Sequence, residues 1–360
     1  MTPDEAYKDL MEKMRYPNSA RLRAVLEYLM TPEQALMVAS LPGTVQEVAE
    51  KLGMKVNDVQ KGLDECFFKG VTVPKGDYIT REFFNFARSV VNLHDRTQAS
   101  ITLNVEKDKK FYSLWHDFVM NEMYIDSGKR SALSTQPRSR IIPAYNAIKD
   151  LPDVLPYENY HELLKMQELI AVVPCSCRHR TTAVGEHCAH ASEEDRNNCI
   201  LFGRSADYNL KRGSGVQLTI EEALELSDKM EEDGLLHMWG NTKSMAGQTS
   251  CNCCRDCCMI SVPMQLVNEP ISKIWEKSRY MAIVDQDKCI GCQECIEHCQ
   301  FDAIEMVKPE GSKSKKLKSQ IIDDNCFGCG ACVVNCKEVH ALSMKCVKPP
   351  EHIPEARPMP

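Results

Sequence analysis

The chain has 360 residues, a net charge of −7 at pH 7 and 19 cysteines. That length holds two or three domains with a sizeable core. The acidic balance argues against non-specific nucleic-acid binding by the whole chain, and no apolar run approaches a membrane span. The N-terminus, Met1-Thr-Pro-Asp-Glu-Ala-Tyr-Lys-Asp, has neither a basic n-region nor an apolar h-region, so no secretory signal is expected and the compartment is read as cytoplasmic. Thiols in a reducing compartment stay free or bind metals, so cysteines in such number point to metal sites rather than to disulfides.

Residues 1–100 read as helical. Thr31-Pro32 caps a helix that starts at Glu33. Thr44 caps a second, with Glu47 as its capping-box partner and Gly53 as its stop. A third begins at Val56 and places Val56, Val59, Leu63 and Phe67 at apolar spacing; Cys66 in it is a small core residue. Residues 70–80 read as a short hairpin. Helix, helix, turn, helix and hairpin make a winged-helix-like domain. The third helix sets Lys61 and Lys69 against Asp58, Asp64 and Glu65, which favours a docking or structural use over DNA binding.

Residues 101–278 form a cysteine-rich central domain. Phe111 to Tyr124 reads as a buried amphipathic helix, with His116 in a core or surface role. Residues 137–140 read as a polar, basic loop, and residues 158–166 as a helix. Leu169-Ile-Ala-Val-Val-Pro reads as a buried strand. It ends in Cys175-Ser-Cys177-Arg178-His179-Arg180. Cys188 and Cys199 follow, then a helix capped near Thr219, a turn and strand at 234–240, and Cys251-Asn-Cys253-Cys254-Arg-Asp-Cys257-Cys258.

Nine thiols (Cys175, Cys177, Cys188, Cys199, Cys251, Cys253, Cys254, Cys257 and Cys258) exceed what one mononuclear site can use. Neighbouring side chains diverge, so vicinal cysteines should serve different sites. On a helical turn Cys253 would pair with Cys257, and Cys254 with Cys257 or Cys258. One or two further iron–sulfur clusters, a structural zinc and a redox-active dithiol all fit this set. His179, His187, His190 and His237 lie near these cysteines in sequence, and Arg178 and Arg180 could offset thiolate charge.

The C-terminal part carries Cys289-Ile-Gly-Cys292-Gln-Glu-Cys295-Ile-Glu-His-Cys299 and Cys326-Phe-Gly-Cys329-Gly-Ala-Cys332-Val-Val-Asn-Cys336. This is one spacing written twice, and zinc has no use for the third and fourth cysteine of each run. Residues 280–345 resemble bacterial two-cluster [4Fe–4S] ferredoxins. The resemblance implies a βαββαβ-like module in which Cys289, Cys292, Cys295 and Cys336 hold one cluster and Cys326, Cys329, Cys332 and Cys299 the other. Two features depart from that family. Gln300 and Lys337 stand where proline usually follows the fourth cysteine, and the basic insert from Lys308 to Lys318 is long. A positive charge at Lys337 would favour the reduced form of the cluster nearby. Its basic loop, Lys313-Ser-Lys-Lys-Leu-Lys318, could dock an acidic partner or be a solvated loop.

Residues 169–258 and 280–340 together resemble a family of anaerobe iron–sulfur proteins. Its pattern is Pro-Cys-x-Cys-Arg, spaced single cysteines, a Glu-Glu-Ala helix, Gly-Leu-x-His, Cys-Asn-Cys-Cys-x-x-Cys-Cys and a two-cluster ferredoxin. The vicinal cysteines also resemble the CCG segments of heterodisulfide reductase, with Arg255 where that motif has glycine. The fold expected is α+β: a winged-helix-like domain at 1–100, the central domain at 101–278, a dicluster ferredoxin module at 279–346 and a tail at 347–360 holding no assigned site, with Cys346 just before it. The function expected is electron transfer, as a subunit or partner of an anaerobic oxidoreductase working with a redox partner protein, in a homo- or hetero-oligomer. An oxidoreductase with an incompletely ligated central cluster and a redox-sensing DNA-binding regulator are the alternatives. No dinucleotide or Walker fingerprint is present.

Overall fold

The computed structural model describes residues 1–186, 188–190, 198–308 and 316–356. The chain divides into two compact units. The first comprises Met1–Ile125, Val173–His187 and Asp207–Val216, and the second Asp126–Val172, Cys188–Ala206 and Gln217–Pro360.

In the first unit the capping signals act as expected. Thr31 and Thr44 close capping boxes with Gln34 and Glu47 on helices Pro32–Ala39 and Val45–Leu52, and Gly53 ends the latter at φ 64°. Helix Val56–Lys69 follows, burying Val59, Leu63, Cys66 and Phe67. Val56 departs from its expected role: at the first position of the helix it stays 41% exposed. The hairpin also differs. Thr72–Pro74 pairs with Phe83–Phe86, which in turn pairs with Gly43–Thr44. Residues 77–80 are the turn, because the Asp77 carboxylate accepts the N–H groups of Ile79 and Thr80 at 2.8 and 3.1 Å. The expected helix 111–124 is not uniform. Lys109–Phe118 is α-helical, Val119–Met123 widens into a π turn, and Tyr124–Ala132 resumes the α-helix.

A seven-stranded mixed sheet organises the second unit, in the order 275–276, 139–142, 236–240, 249–253, 199–202, 170–173, 216–218. The expected loop at 137–140 is instead the start of strand Ser139–Ile142. Its arginine has the character of a loop residue but not the setting of one. Arg140 is buried, and its guanidinium donates to the carbonyls of Tyr157 and Thr242 at 2.7 and 3.2 Å. Helix Ile220–Glu232 begins as expected, with Thr219 and Glu222 closing a capping box.

Side chains alternate across a strand, so strand Thr249–Cys253 presents Ser250 and Asn252 to one face and Cys251 and Cys253 to the other. Tyr160 hydrogen-bonds Ser250 and Asn252 at 2.8 and 3.1 Å and belongs to one core with Ile142, Ile200 and Trp239. Cys253 belongs to a second core with Ile141, Leu236, Met238 and Trp275.

The C-terminal stretch runs strand Tyr280–Val284, helix Glu294–Glu297, strands Ile304–Val307 and Lys318–Ile321, helix Ala331–Val334 and strand Leu342–Cys346. The outer strands pair antiparallel with each other, and so do the inner two. This is the expected βαββαβ order. Cys346, given no role by the sequence, closes the module's last strand opposite Tyr280 and is exposed.

Candidate metal centres

The two four-cysteine runs share a backbone trace. Gly291 and Gly328, each just before the second cysteine, sit at φ 75° and 67°, and Gln293 and Gly330, just after it, at φ 74° and 79°. Left-handed backbone turns the chain tightly enough for cysteines three apart to face one point. A Cβ on Gly328 would stand 2.0 Å from the Tyr280 carbonyl, so nothing larger fits there. In each run the last sulfur accepts a backbone N–H at 3.3 Å, Cys299 from Ala303 and Cys336 from Ala341.

Cys299, the last cysteine of the first run, lines a cavity with Cys326, Cys329 and Cys332 of the second, walled by Phe301, Ile304 and Phe327. Burial pushes the Cys329 thiol up to about 12, with Cys299 and Cys326 adding to it. Burial also raises Cys332, Cys299 and Cys295, and the charges that act on Cys295 come from Cys292, Cys289 and Cys336. Four thiols around an apolar cavity, with N–H groups aimed at sulfur, fit the needs of a thiolate-ligated cubane. Ser319, buried on the strand beside the first run, lies 3.1 Å from the Cys295 sulfur and 3.9 Å from that of Cys289.

The central cysteines sort by the faces of the sheet. Cys253 hydrogen-bonds Cys251 and Cys258. Cys199 stands directly opposite Cys251 across the strand pair, which puts both on one face. Cys188, Cys254 and Cys257 gather on the other side within the Tyr160 core, with the Cys188 and Cys254 sulfurs 3.4 Å apart. The ligand atoms of Cys188, Cys254, Cys257 and Asp256 all lie within 4.8 Å of one another. Vicinal cysteines do diverge, and Cys254 meets Cys257 as one of the expected pairings has it, but Cys253 meets Cys258 rather than Cys257. The reason is that Cys251 and Cys253 are strand residues.

Cys175 and Cys177 belong to the first unit, where both are buried as helix Ser176–Ala183 begins. Around them Ser176 donates to Asp95 at 2.8 Å and His179 Nδ1 lies 2.8 Å from the Gln98 carbonyl. Arg180 donates to His116 Nδ1 at 2.8 Å and to Tyr124 at 3.2 Å. Burial, then the charge of Arg180, lowers the His116 pKa. His237 is engaged at both ring nitrogens, with Asn252 at 2.6 Å and Glu231 at 3.3 Å. His298 is a further residue of the cavity lining, and burial, then the charge of His190, lowers its pKa. His187 and residues 309–315 of the basic insert lie outside the described residues. Lys337 lies 3.7 Å from Glu232, which offsets its charge.

The two departures from familiar patterns meet. Gln300 accepts the backbone N–H of Arg255 at 2.7 Å, and the Arg255 guanidinium donates to the Gln300 carbonyl and to Asp302 at 3.1 and 2.6 Å. The central cysteine loop is thereby tied to the residue after Cys299. Sequence reasoning passed over Ser319 and Asp256. Asp256, lying inside the cysteine motif, was within reach of a search for metal ligands; Ser319 was visible only through strand pairing.

The 4Fe-4S dicluster domain family matches residues 282–344. No curated protein and no solved structure matches the chain. The C-terminal module is a ferredoxin-type iron–sulfur domain, a group that supplies one-electron transfer. Among the described residues no helix is long and apolar enough to cross a membrane.

Proposed function

We propose that this chain is an electron-transfer protein, a cytoplasmic subunit or partner of an anaerobic oxidoreductase. In this reading Cys289, Cys292, Cys295 and Cys336 hold one [4Fe–4S] cluster and Cys326, Cys329, Cys332 and Cys299 the second. A central cluster on Cys199, Cys251, Cys253 and Cys258 is the next stop. The observation that carries it is one shared core. Cys253 and Cys258 are built into it with Trp275, Phe301 and Phe327, and Cys251, Cys299, Cys326 and Cys329 pack against it. The Phe301 and Phe327 rings stack at 4.3 Å. The central thiols and the cavity thiols thus belong to or pack against one apolar cluster, the kind of path a relay needs. The Arg255–Gln300 contacts fix the spacing.

In the first unit, the three-stranded sheet beside helices 45–52 and 56–69 supports a winged-helix-like reading. Asp64 on the third helix pairs with Arg81 at 2.7 Å. An acidic helix of this kind suits a protein partner better than a phosphate backbone.

The test is iron and acid-labile sulfide per chain on anaerobically purified protein, with EPR after reduction, for the native chain and for Cys258→Ser. About twelve irons, falling to about eight in the variant with the ferredoxin signals intact, is the expected result. About eight irons in the native chain would reduce the protein to a ferredoxin on a scaffold and end the relay reading.

A further inference from the structure

The Cys188, Cys254 and Cys257 group stands apart from the shared core, on the opposite face of strand 249–253. Its spacing is that of one ion. A tetrahedral ion with metal–sulfur bonds of about 2.3 Å sets its ligand sulfurs about 3.8 Å apart, and a carboxylate oxygen slightly closer. A cubane, being wider, holds its thiolates further from one another. The 3.4 Å between the Cys188 and Cys254 sulfurs, and the 4.8 Å that encloses all four ligand atoms, match the single ion. The fourth donor is the Asp256 carboxylate. One of its oxygens accepts the Ala189 N–H at 2.9 Å, the outer contact that orients a ligating carboxylate and leaves its other oxygen for a metal.

We propose that Cys188, Cys254, Cys257 and Asp256 form a mononuclear site for a divalent, thiolate-preferring ion of the zinc class, separate from the electron relay. Three thiolates and a carboxylate in a closed tetrahedron describe a structural site. Its ion ties Cys188 to the loop 254–258 and so holds Cys253 and Cys258 facing the other way. The two pairs of vicinal cysteines are then a divider: one member of each pair binds the ion and the other faces the shared core. This inference rests on the spacing and on the oriented Asp256 carboxylate, and stands whether or not the relay reading does.

The experiment compares zinc, iron and acid-labile sulfide per chain in the anaerobically purified full chain and in Cys254→Ser, with the ferredoxin EPR signal as the control for folding. The native chain is expected to carry one ion beyond the iron that sulfide accounts for. Cys254→Ser should lose that ion alone. Chelation followed by Co²⁺ loading should give tetrahedral thiolate absorption bands in the native chain and not in the variant. Loss of about four irons with their sulfide from Cys254→Ser would mean a cubane there and would overturn the proposal, as would no change in any metal. Asp256→Asn serves as the second variant because Asp256 is exposed and its loss leaves the core intact. It should release the ion to a chelator at least about tenfold faster, with the EPR signal unchanged. An unaltered release rate would remove Asp256 from the site and sink the four-ligand assignment.

Discussion

The two cysteine runs of the ferredoxin module share a spacing and a backbone trace but not a setting. In the first run Cys292 is exposed, and a serine hydroxyl lies against the sulfur of Cys295. Cys326, Cys329 and Cys332 of the second run line an apolar cavity with Cys299, and Cys299, Cys326 and Cys329 pack on the core that contains the central thiols. Cys289, Cys295 and Cys336 share an apolar core with Cys332, so what sets the first group apart is the exposed Cys292 and the Ser319 hydroxyl, and these should separate the two potentials. In the relay proposed above, the side of the exposed Cys292 would meet a partner and the enclosed set would pass electrons inward. An internal duplication has in effect been given two addresses by what packs against each copy.

The comparison breaks most sharply at the paired glycines. A methyl on Gly328 would meet the Tyr280 carbonyl at 2.0 Å and the Ser278 hydroxyl at 2.2 Å, both buried, in a left-handed conformation that disfavours it regardless. Gly328→Ala is expected to abolish the second cluster, a loss of about four irons per chain. Gly291 has the same φ region, and its methyl would meet the Leu317 carbonyl at 2.2 Å. Leu317 lies outside any strand and is exposed, so that carbonyl has room to shift. Gly291→Ala should therefore keep most of its iron. Equal losses from the two variants, by iron and sulfide analysis, would show that the settings of the runs do not differ in the way described.

A smaller effect is expected at Glu231. Burial alone would raise its pKa, but His237 and the backbone N–H groups of Asn146 and Tyr145 hold its carboxyl below the ordinary 4.5. Its own carbonyl accepts from Asn335 of the second run at 3.3 Å. A carboxyl whose folded pKa is depressed contributes stability above its unfolded value and loses it as pH falls through the folded one. The second run should loosen on acidification below about pH 4.5, ahead of the first, which is not tied to Glu231. Glu231→Gln should cost about 1.5–3 kcal/mol, the worth of hydrogen bonds to a charged group, and should flatten that acid limb. Denaturant melts of native and variant protein at several pH values measure both.

What was legible in the sequence was local. The first three cysteines of each short run, and the caps at Thr31, Thr44 and Thr219, declare their partners within a few residues, while the exchange of Cys299 and Cys336 between the runs came only from the resemblance to ferredoxins. What was not legible depends on distant pairing. Arg140 looked like a loop residue because the carbonyls that satisfy it lie 17 and 102 residues away. The sorting of the central cysteines needed the register of Cys199 against Cys251, and a helical period applied to the strand residue Cys253 paired it with Cys257 instead of Cys258. The Gln300 side chain could be seen as a departure from proline but not as the group that holds Arg255.

The finest distinction between the runs lies at Ser319. Its hydroxyl stands near two sulfurs of the first run, within 3.9 Å, and also 3.7 Å from the Met306 sulfur. Reduction adds negative charge to a thiolate-bound cluster, so a donor aimed at its sulfurs favours the reduced form, and removing the donor lowers the potential. A neutral hydrogen bond is worth about 0.5–1.5 kcal/mol, which for one electron is roughly 20–60 mV. Ser319→Ala should lower the potential of the first cluster within that range and leave the second in place, widening or narrowing the gap according to which cluster is the higher. An EPR-monitored redox titration reads both potentials in one sample. A shift confined to the second cluster would reverse the assignment of Cys295 and Cys289 to the first. A shift in neither would show that the hydroxyl donates elsewhere, and the contrast between a hydroxyl-lined run and a hydrocarbon-lined one would then rest on solvent exposure at Cys292 alone.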